Sequence, residues 1–575
     1  MAYPPHTAHP AFKPLACALL ASLLCINAWA QSAPDAGALQ RQIEQTLKPL
    51  QTQPSLRLKQ APPPPMPARE GLSVTVQQFV FAGNTLLSNA QLAAAMAPYL
   101  NRPLNFTELQ AAAAAVAQAY RDAGWLVTAY LPKQEIDNGQ VTLQIIEAVF
   151  GKVSVQDPQP QRVAAQRLVQ LFQTQQAAGE PLSSHRVDRA LLLLDDLPGV
   201  IVSGNLQAGA SHSETDMVLS VMDEPLLRGD VGSDNNGAIS TGALRLSLNA
   251  NLNSPLRLGD QFSANAIRTQ GSEYTRVAYS LPMGNDGWRA QLRGSGLNYH
   301  LVGDLAASDG HGSAQTTGAE LSYPLHRSQS ANHSVSLGYD RRQYDNFNLS
   351  GLTSRYQIQA STVSLTGNTI DPTGTNGYGL SWVGGKLDMS DAPVLYRQDD
   401  AAGPQTAGRY ERLSLNLNRL HTLTPDTSLW LAYAQQVANA NLDSSEKLYL
   451  EGVSGVRAYG AGATRLGGSN GQTFTAEVRH NLDFNWRLNG FYDYGKARAY
   501  RHNLKADGVT PIGSINDFQI KGYGLTLGWQ SVRGIDLKAT VAKRLGQNPN
   551  PTAQGLDQDG SYRNPRYWLS AMLAF

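Results

Sequence analysis

From about Leu226 to the C-terminal Phe575, apolar and polar residues alternate with a period of two, and this alternation constrains the fold more than any other feature. Leu244, Leu246, Leu248, Ala250 and Leu252 interleave with Arg245, Ser247, Asn249 and Asn251. Successive side chains of an extended strand point to opposite faces, so such a segment suits lipid on one side and water on the other. Leu413, Leu415 and Leu417 alternate with Ser414, Asn416 and Asn418, and Tyr523, Leu525, Leu527 and Trp529 share a face. Ile535, Leu537, Ala539 and Val541 alternate with Asp536, Lys538, Thr540 and Ala542. Tyr567, Leu569, Ala571, Leu573 and Phe575 then carry the pattern to the last residue. One such segment alone reads more readily as a strand of a soluble sandwich. Repetition to the terminus favours a transmembrane barrel.

Composition separates this reading from a helical membrane protein. With 42% hydrophobic residues and a mean hydropathy of -0.30, the chain has no room for several apolar helical spans, and beyond the N-terminus no run of about 18 apolar residues occurs. Lipid cannot satisfy exposed backbone groups, so strands that cross it must close on themselves. Counting alternating segments from Leu226 gives about sixteen antiparallel strands, an even number with room for a polar lumen. The 46 basic and 45 acidic residues fit solvated loops and a wet lumen, and a net charge of +1 gives no reason to invoke nucleic acid.

Residues 1–30 read as a secretory signal peptide: Lys13 precedes an apolar stretch from Leu15 to Ile26, and Ala28-Trp29-Ala30 offers small residues at a cleavage site. The rival lipoprotein reading of Cys25 suffers from the bulky Leu24 before it. Cys17 and Cys25 are the only cysteines, so cleavage after Ala30 leaves a chain without disulfide or thiol chemistry. In residues 31–50, Leu39, Ile43 and Leu47 recur at helical spacing among Gln, Arg and Glu, predicting a mostly polar helix with a thin apolar stripe. Residues 51–70 carry Pro62 to Pro65 and Pro67 and read as an extended linker. The helix and linker together suggest a detachable plug on a tether.

Two α+β modules of order β-α-α-β-β are predicted next, at 71–149 and 150–225. In the first, a strand through Phe79-Val80-Phe81 ends at Gly83-Asn84, Ser88 caps a helix running to Tyr99, and a cap near Asn105 or Thr107 starts an alanine-rich helix ending at Gly124. Strands Leu126–Pro132 and Val141–Glu147 join through Asn138-Gly139. The second module has Val153 and Val155 in its first strand, helices near Arg162–Gln175 and His185–Leu194, and strands around Val200–Ala208 and Asp216–Met222. A sheet covered by helices on one face leaves an edge strand that can take up an extended peptide through its backbone.

Several motifs carry a resemblance. Tyr130-Leu131-Pro132-Lys133-Gln134, followed by Gly139-Gln140-Val141 and Glu147, resembles the first polypeptide-transport-associated (POTRA) domain of two-partner secretion transporters. These form the TpsB (ShlB/FhaC/HecB) group of the outer-membrane POTRA-barrel superfamily. Asp234-Asn235-Asn236-Gly237 resembles the opening of their barrels, and the order of segments matches along nearly the whole chain. In the glycine-rich stretch Gly452 to Gly471, within a long sixth loop around 445–471, Val456-Arg457-Ala458-Tyr459 resembles the family's Val-Arg-Gly-Tyr tip. The resemblance implies that this loop folds into the lumen and that its arginine pairs with an aspartate on the wall. Asp493, within Phe491-Tyr492-Asp493-Tyr494-Gly495, matches the wall motif. Strand parity allows this independently: with Leu488, Gly490, Tyr492 and Tyr494 outward, Asn489, Phe491 and Asp493 face inward, and Glu477 and Arg479 likewise. Glu477 and Asp493 both remain candidate partners of Arg457, through charge-assisted contacts that would fix the loop. Two departures stand out: Ala458 replaces the usual glycine, and Ser469-Asn470 stands where relatives often carry aspartate.

Other motifs are set aside. Arg228-Gly229-Asp230 falls in the predicted first barrel strand, Gly460-Ala461-Gly462 lacks a Rossmann context, no phosphate-binding loop is present, and the 11 histidines show no paired ligand spacing. No nucleophile elbow is visible, so neither enzyme activity nor a cofactor or metal is expected. The resemblance implies export of a large partner exoprotein, an adhesin, filamentous protein or cytolysin that folds as a β-helix outside, bound in extended form by periplasmic POTRA domains and passed through the outer-membrane barrel. It implies no nucleotide, and insertion by the barrel assembly machinery through Phe575. An outer-membrane assembly factor is the alternative, then a passive porin.

Overall fold

A computed structural model describes residues 34–47, 73–211 and 213–575. The expected signal peptide and proline linker lie outside the described residues. Within them, helix α1 (Ala36–Thr46) comes first, with Asp35 capping its N-terminus through Ala38 N–H at 2.8 Å. Leu47, expected within this helix, is instead its C-cap, beyond the last helical turn.

The first module comprises β1 (Ser73–Thr75), β2 (Gln78–Ala82), α2 (Asn89–Met96), β3 (Pro103–Asn105), α3 (Phe106–Asp122), β4 (Val127–Tyr130) and β5 (Gln140–Glu147). Both helices begin with capping boxes, Ser88 with Gln91 and Asn105 with Glu108, which satisfy the orphan N–H groups of the first turn. The order differs from β-α-α-β-β because Pro103–Asn105 extends the chain between the helices to pair with β1. Helix α2 stops at Met96, and Pro98 falls in a single 3-10 turn, Ala97–Tyr99, that completes the segment expected to run helical to Tyr99. The main sheet runs β2-β5-β4, with Val116, Tyr120 and Leu143 fully buried beneath it.

The second module has β6 (Val149–Val155), α4 (Ala165–Gln175), α5 (Ser184–Asp195), β7 (Val200–Ala208) and β8 (Glu214–Asp223), in sheet order β6-β8-β7. Val149 opens β6, so the module boundary lies at Ala148, one residue before the expected one. Phe150 and Phe172 pack at 5.5 Å between ring centroids in the core. Backbone hydrogen bonds weld the two modules: Leu126 N–H to Leu182 O (3.0 Å), Leu182 N–H to Ala148 O (2.8 Å) and Ser184 N–H to Gly124 O (3.0 Å). Arginines then fix the second module to the barrel. Arg327 pairs with Asp196 at 2.7 Å, Arg167 donates to Gly284 O at 2.9 Å, and Arg189 donates to Pro324 O at 3.1 Å.

Sixteen antiparallel strands close the barrel: β9 (Leu227–Asp234), β10 (Arg245–Asn253), β11 (Gln261–Arg268), β12 (Ser272–Met283), β13 (Trp288–His300), β14 (His311–Arg327), β15 (Ala331–Asn348), β16 (Gly351–Asp371), β17 (Gly374–Asp388), β18 (Gly408–Thr424), β19 (Thr427–Ala438), β22 (Asn470–Asn481), β23 (Trp486–Arg498), β24 (Asp517–Gln530), β25 (Ile535–Arg544) and β26 (Arg566–Ala574). A small hairpin, β20 (Leu448–Tyr449) with β21 (Gly467–Gly468), lies inside the sixth loop, and helix α6 (Val394–Ala402) lies in the fifth. Closure is between β26 and β9, and Phe575 extends that ladder by exchanging both backbone hydrogen bonds with Gly229 at 2.8 and 3.0 Å. Strand parity sends Leu246, Leu525 and Leu569 outward to lipid and Phe491, Asp493 and Trp568 inward.

In the first module, Glu147 accepts hydrogen bonds from Thr85 N–H (2.7 Å), Leu86 N–H (2.8 Å), the Thr85 hydroxyl and Tyr120 Oη (2.8 Å), tying the loop before α2 to β5. Burial alone raises its carboxyl, but these donors outweigh burial and hold it below the usual carboxylate range. A carboxyl with a folded value below its unfolded one stabilises fully above about pH 5 and loses that contribution as pH falls through the folded value. Glu147→Ala is expected to cost the module about 1.5–3 kcal/mol at neutral pH. Amide hydrogen exchange across Thr85–Gln91 should show this, with the difference from wild type shrinking at low pH.

Candidate functional site: the sixth loop and the lumen helix

Strands β22 and β23 pair with Thr475 opposite Asp493 and Glu477 opposite Phe491, all four on the lumen face. The sixth loop, between the eleventh and twelfth barrel strands, brings Arg457 down onto them. Its Nε and Nη2 each donate to one oxygen of Asp493 at 2.9 Å, in a two-pronged contact, and its Nη1 donates to Glu477 Oε2 at 2.6 Å. The backbone N–H of Arg457 adds a bond to Asp493 Oδ2 at 3.1 Å, and the guanidinium lies 3.4 Å from the Phe491 ring centroid. Both candidate acids therefore share the arginine, with Asp493 taking the bidentate face. Thr475 Oγ1 donates to Asp493 at 3.0 Å and Arg479 Nε to Glu477 at 2.8 Å. Two guanidiniums thus face two carboxylates, and the cluster is neutral although Asp493 is only 1% exposed. Breaking one member of such a buried set leaves an uncompensated charge, which costs about 3–5 kcal/mol.

The rest of the tip is equally enclosed. Val456, Ala458 and Tyr459 are fully buried. The tip folds on itself through Val456 N–H to Leu450 O (2.7 Å) and Gly452 N–H to Tyr459 O (3.0 Å). Val456 and Leu450 press against Gly495, where a Cβ would stand 3.2 Å from each. Ala458 sits against Gly522 of β24, where an added Cβ would meet the Ala458 Cβ at 2.4 Å. The Ala458 methyl group is therefore accommodated by the missing side chain at Gly522.

Further contacts hold the tip that no motif in the sequence marks. Trp568 Nε1 donates to Arg457 O at 2.7 Å, so the last strand grips the tip. Arg544, at the end of β25, donates to Ala458 O (3.2 Å), lies 4.4 Å from the Tyr459 ring centroid and pairs with the buried Asp557. Asp557 belongs to the eighth loop, whose Asn548 and Asn550 donate to Ala463 O (3.0 Å) and Thr464 O (2.8 Å). Continuing the alternation from Val541 and from Tyr567 would place Arg544 and Trp568 inward, whereas the loop residue Asp557 lies outside any alternating segment.

Helix α1 occupies another part of the lumen. Leu39 is buried among Tyr274, Tyr299, Tyr344 and Tyr356 of the wall, with Ile43 and Leu47 partly buried against the same cluster. Ala36 N–H donates to Asn346 Oδ1 and Gln40 Nε2 to Thr316 Oγ1, at 2.8 and 2.9 Å. Val456, Arg457, Ala458 and Tyr459 thus meet Glu477, Phe491, Asp493 and Gly495 in one place, and Leu39, Ile43 and Leu47 do not join them.

The profile of the haemolysin secretion/activation protein ShlB/FhaC/HecB family matches residues 213–514, and that of the ShlB-type POTRA domain matches residues 74–148. The chain belongs to the ShlB/FhaC/HecB family. It is 24% identical to the heme/hemopexin transporter protein HuxB of Haemophilus influenzae (strain 86-028NP), over 98% of this chain and 99% of that protein. It is also 24% identical to the outer membrane transporter CdiB of Escherichia coli, over 80% of each chain. The solved structure of CdiB from Escherichia coli has the same fold, with a TM-score of 0.68 at 19% identity over 97% of this chain and 98% of that one. As a ShlB/FhaC/HecB member, the chain is a two-partner secretion transporter of the outer membrane, its POTRA region in the periplasm and its function the export of a partner protein.

Gly522→Ala is expected to push Ala458 off β24 and loosen the tip. Trypsin cleavage at Arg457 and Arg465 should rise in the single variant and return toward the wild-type level in Gly522→Ala/Ala458→Gly, which removes the opposing methyl group.

Proposed function

We propose that this transporter exports one large partner exoprotein in extended form, drawing it through the barrel after α1 leaves the lumen while the Arg457 loop stays on the wall as a guide. The neutral, desolvated contact of Arg457 with Asp493 and Glu477 carries this reading: it gives the loop one defined seat in a pore otherwise wide enough to let it wander. The second module, from Val149 of β6 to Asp223 of β8, would act as a second POTRA domain. Strand β7 pairs only with β8 and has no strand neighbour on its outer side among the described residues; Val202 N–H donates to Asp195 Oδ1 at 3.1 Å, and residues 203–208 beyond it offer backbone edge to an incoming strand. Such capture reads backbone rather than sequence, which suits an unfolded cargo. Among relatives, HuxB is named for heme/hemopexin and HpmB of Proteus mirabilis for hemolysin transport, and a secreted β-helical protein fits the same route here. Work without a nucleotide would come from folding and burial of the cargo as it emerges outside. Phe575, in register with the closing strand, would be the residue presented to the barrel assembly machinery for insertion.

Deletion of the chain, followed by quantitative proteomics of culture medium and outer membrane, should show loss of one large secreted protein. Arg457→Ala should fail to restore it, by a factor of about ten or more given the cost of a broken buried pair. Broad depletion of barrel proteins would move the function to outer-membrane assembly, and full secretion with Arg457→Ala would remove the guiding role of the loop.

Leu206→Pro, on the exposed half of β7, removes an edge N–H while leaving the module core intact. It is expected to lower secretion and to abolish cross-linking of the module to cargo, with the barrel still inserted.

A further inference from the structure

The root of the sixth loop is held by a second ionic contact, separate from the tip. Residues Ser444–Glu446 form a single 3-10 turn between the plug helix and the wall. On the wall side, the Glu446 carboxylate lies between Arg342 of β15 and Arg412 of β18, in ion pairs with both, the latter at 3.1 Å. Glu446 is 1% exposed and Arg412 is 8% exposed. Gln436 of β19 closes the seat, its Nε2 donating to Glu446 O at 3.0 Å while its Oε1 accepts from Arg412 Nη1 at 3.2 Å. On the opposite side the same turn meets α1. Ser444 Oγ donates to Asp35 Oδ1 at 2.8 Å, Arg41 Nε donates to the neighbouring Lys447 O at 3.4 Å, and Gly37 lies so close that a Cβ there would fall 2.9 Å from Ser445 Cβ.

We infer that Glu446 is the positioning residue that keeps the plug in place, and that the plug is released by freeing the root of the sixth loop while its tip remains seated. The inference rests on the reading of α1 as a plug. The 444–446 turn is a bracket with one face on the wall and the other on α1, and its wall face depends on one carboxylate. Without that charge, Arg342 keeps only Asp340, at 3.5 Å, Arg412 is left in a buried site with no carboxylate partner, and the bracket loses its seat. Arg457 is bound to a different part of the wall, β22 and β23, so the tip contacts survive movement of the root. The family tip motif and the root latch would therefore divide two tasks, guiding and closing.

Hydrogen exchange and planar-bilayer conductance of the purified full-length protein, without cargo, test this. Glu446→Gln should speed exchange of residues 36–46 by about tenfold or more and raise the open-pore conductance, while 456–459 stay protected. Glu446→Asp, which keeps the charge, should restore protection of 36–46. Arg457→Ala should free 456–459 and leave 36–46 protected. If Glu446→Gln does not assemble, Arg412→Gln is measured by the same criteria. Wild-type protection of 36–46 in Glu446→Gln, or equal release of the plug by Arg457→Ala, overturns the inference. Neither measurement involves export, so a failure here is distinct from a failure of the transport reading.

Discussion

Backbone hydrogen bonding in lipid is the constraint on which the rest of this structure depends. Strands that cross a bilayer have no water to satisfy their edges, so sixteen of them close, and closure falls on β26 and β9 at the very end of the chain. Closure at this size encloses a lumen too wide for side chains alone to fill. The chain fills it with its own segments: a helix from before the periplasmic modules and a loop from between the eleventh and twelfth strands. Each seat combines apolar packing, through Leu39 in the helix and through Val456 and Tyr459 in the loop, with hydrogen bonds and, for the loop, ion pairs.

Those ion pairs follow one pattern. Arg457 with Arg479 balances Asp493 with Glu477, Arg544 balances Asp557, and Glu446 sits between Arg342 and Arg412. A buried charge without its partner is costly, which makes each contact a discrete position rather than a sliding surface. Flat aromatic faces add to the arginine seats, Phe491 under Arg457 and Tyr459 under Arg544. In the periplasm the fixation is different: backbone hydrogen bonds weld one module to the next, and arginines clasp carbonyl groups of the barrel turns. A strand captured on β7 would thus be held at a set distance from the barrel mouth.

Much of this was legible in the sequence because period-two alternation survives in each strand independently of its neighbours. Parity alone placed Asp493, Glu477 and Phe491 inside, and the tip motif named Arg457. The capping residues Ser88 and Asn105 marked helix starts for the same local reason. Contacts between segments distant in the chain were not legible. Gly522 has meaning only once Ala458 is beside it, Asp557 lies in a loop without periodicity, and Glu446 reads as an ordinary loop acid until β15 and β18 are brought around it. Strand β3 was missed because three residues around a proline carry no alternation to detect.

The central claim is that Arg457 and Asp493 act as one seat for the loop that export requires. A double-mutant cycle of Arg457→Ala, Asp493→Ala and the pair, read by secreted cargo and by hydrogen exchange of residues 456–459, tests it most directly. The account predicts that the double variant is no worse than either single one, so that the coupling is as large as the loss in one single variant. Independent, additive losses would contradict it.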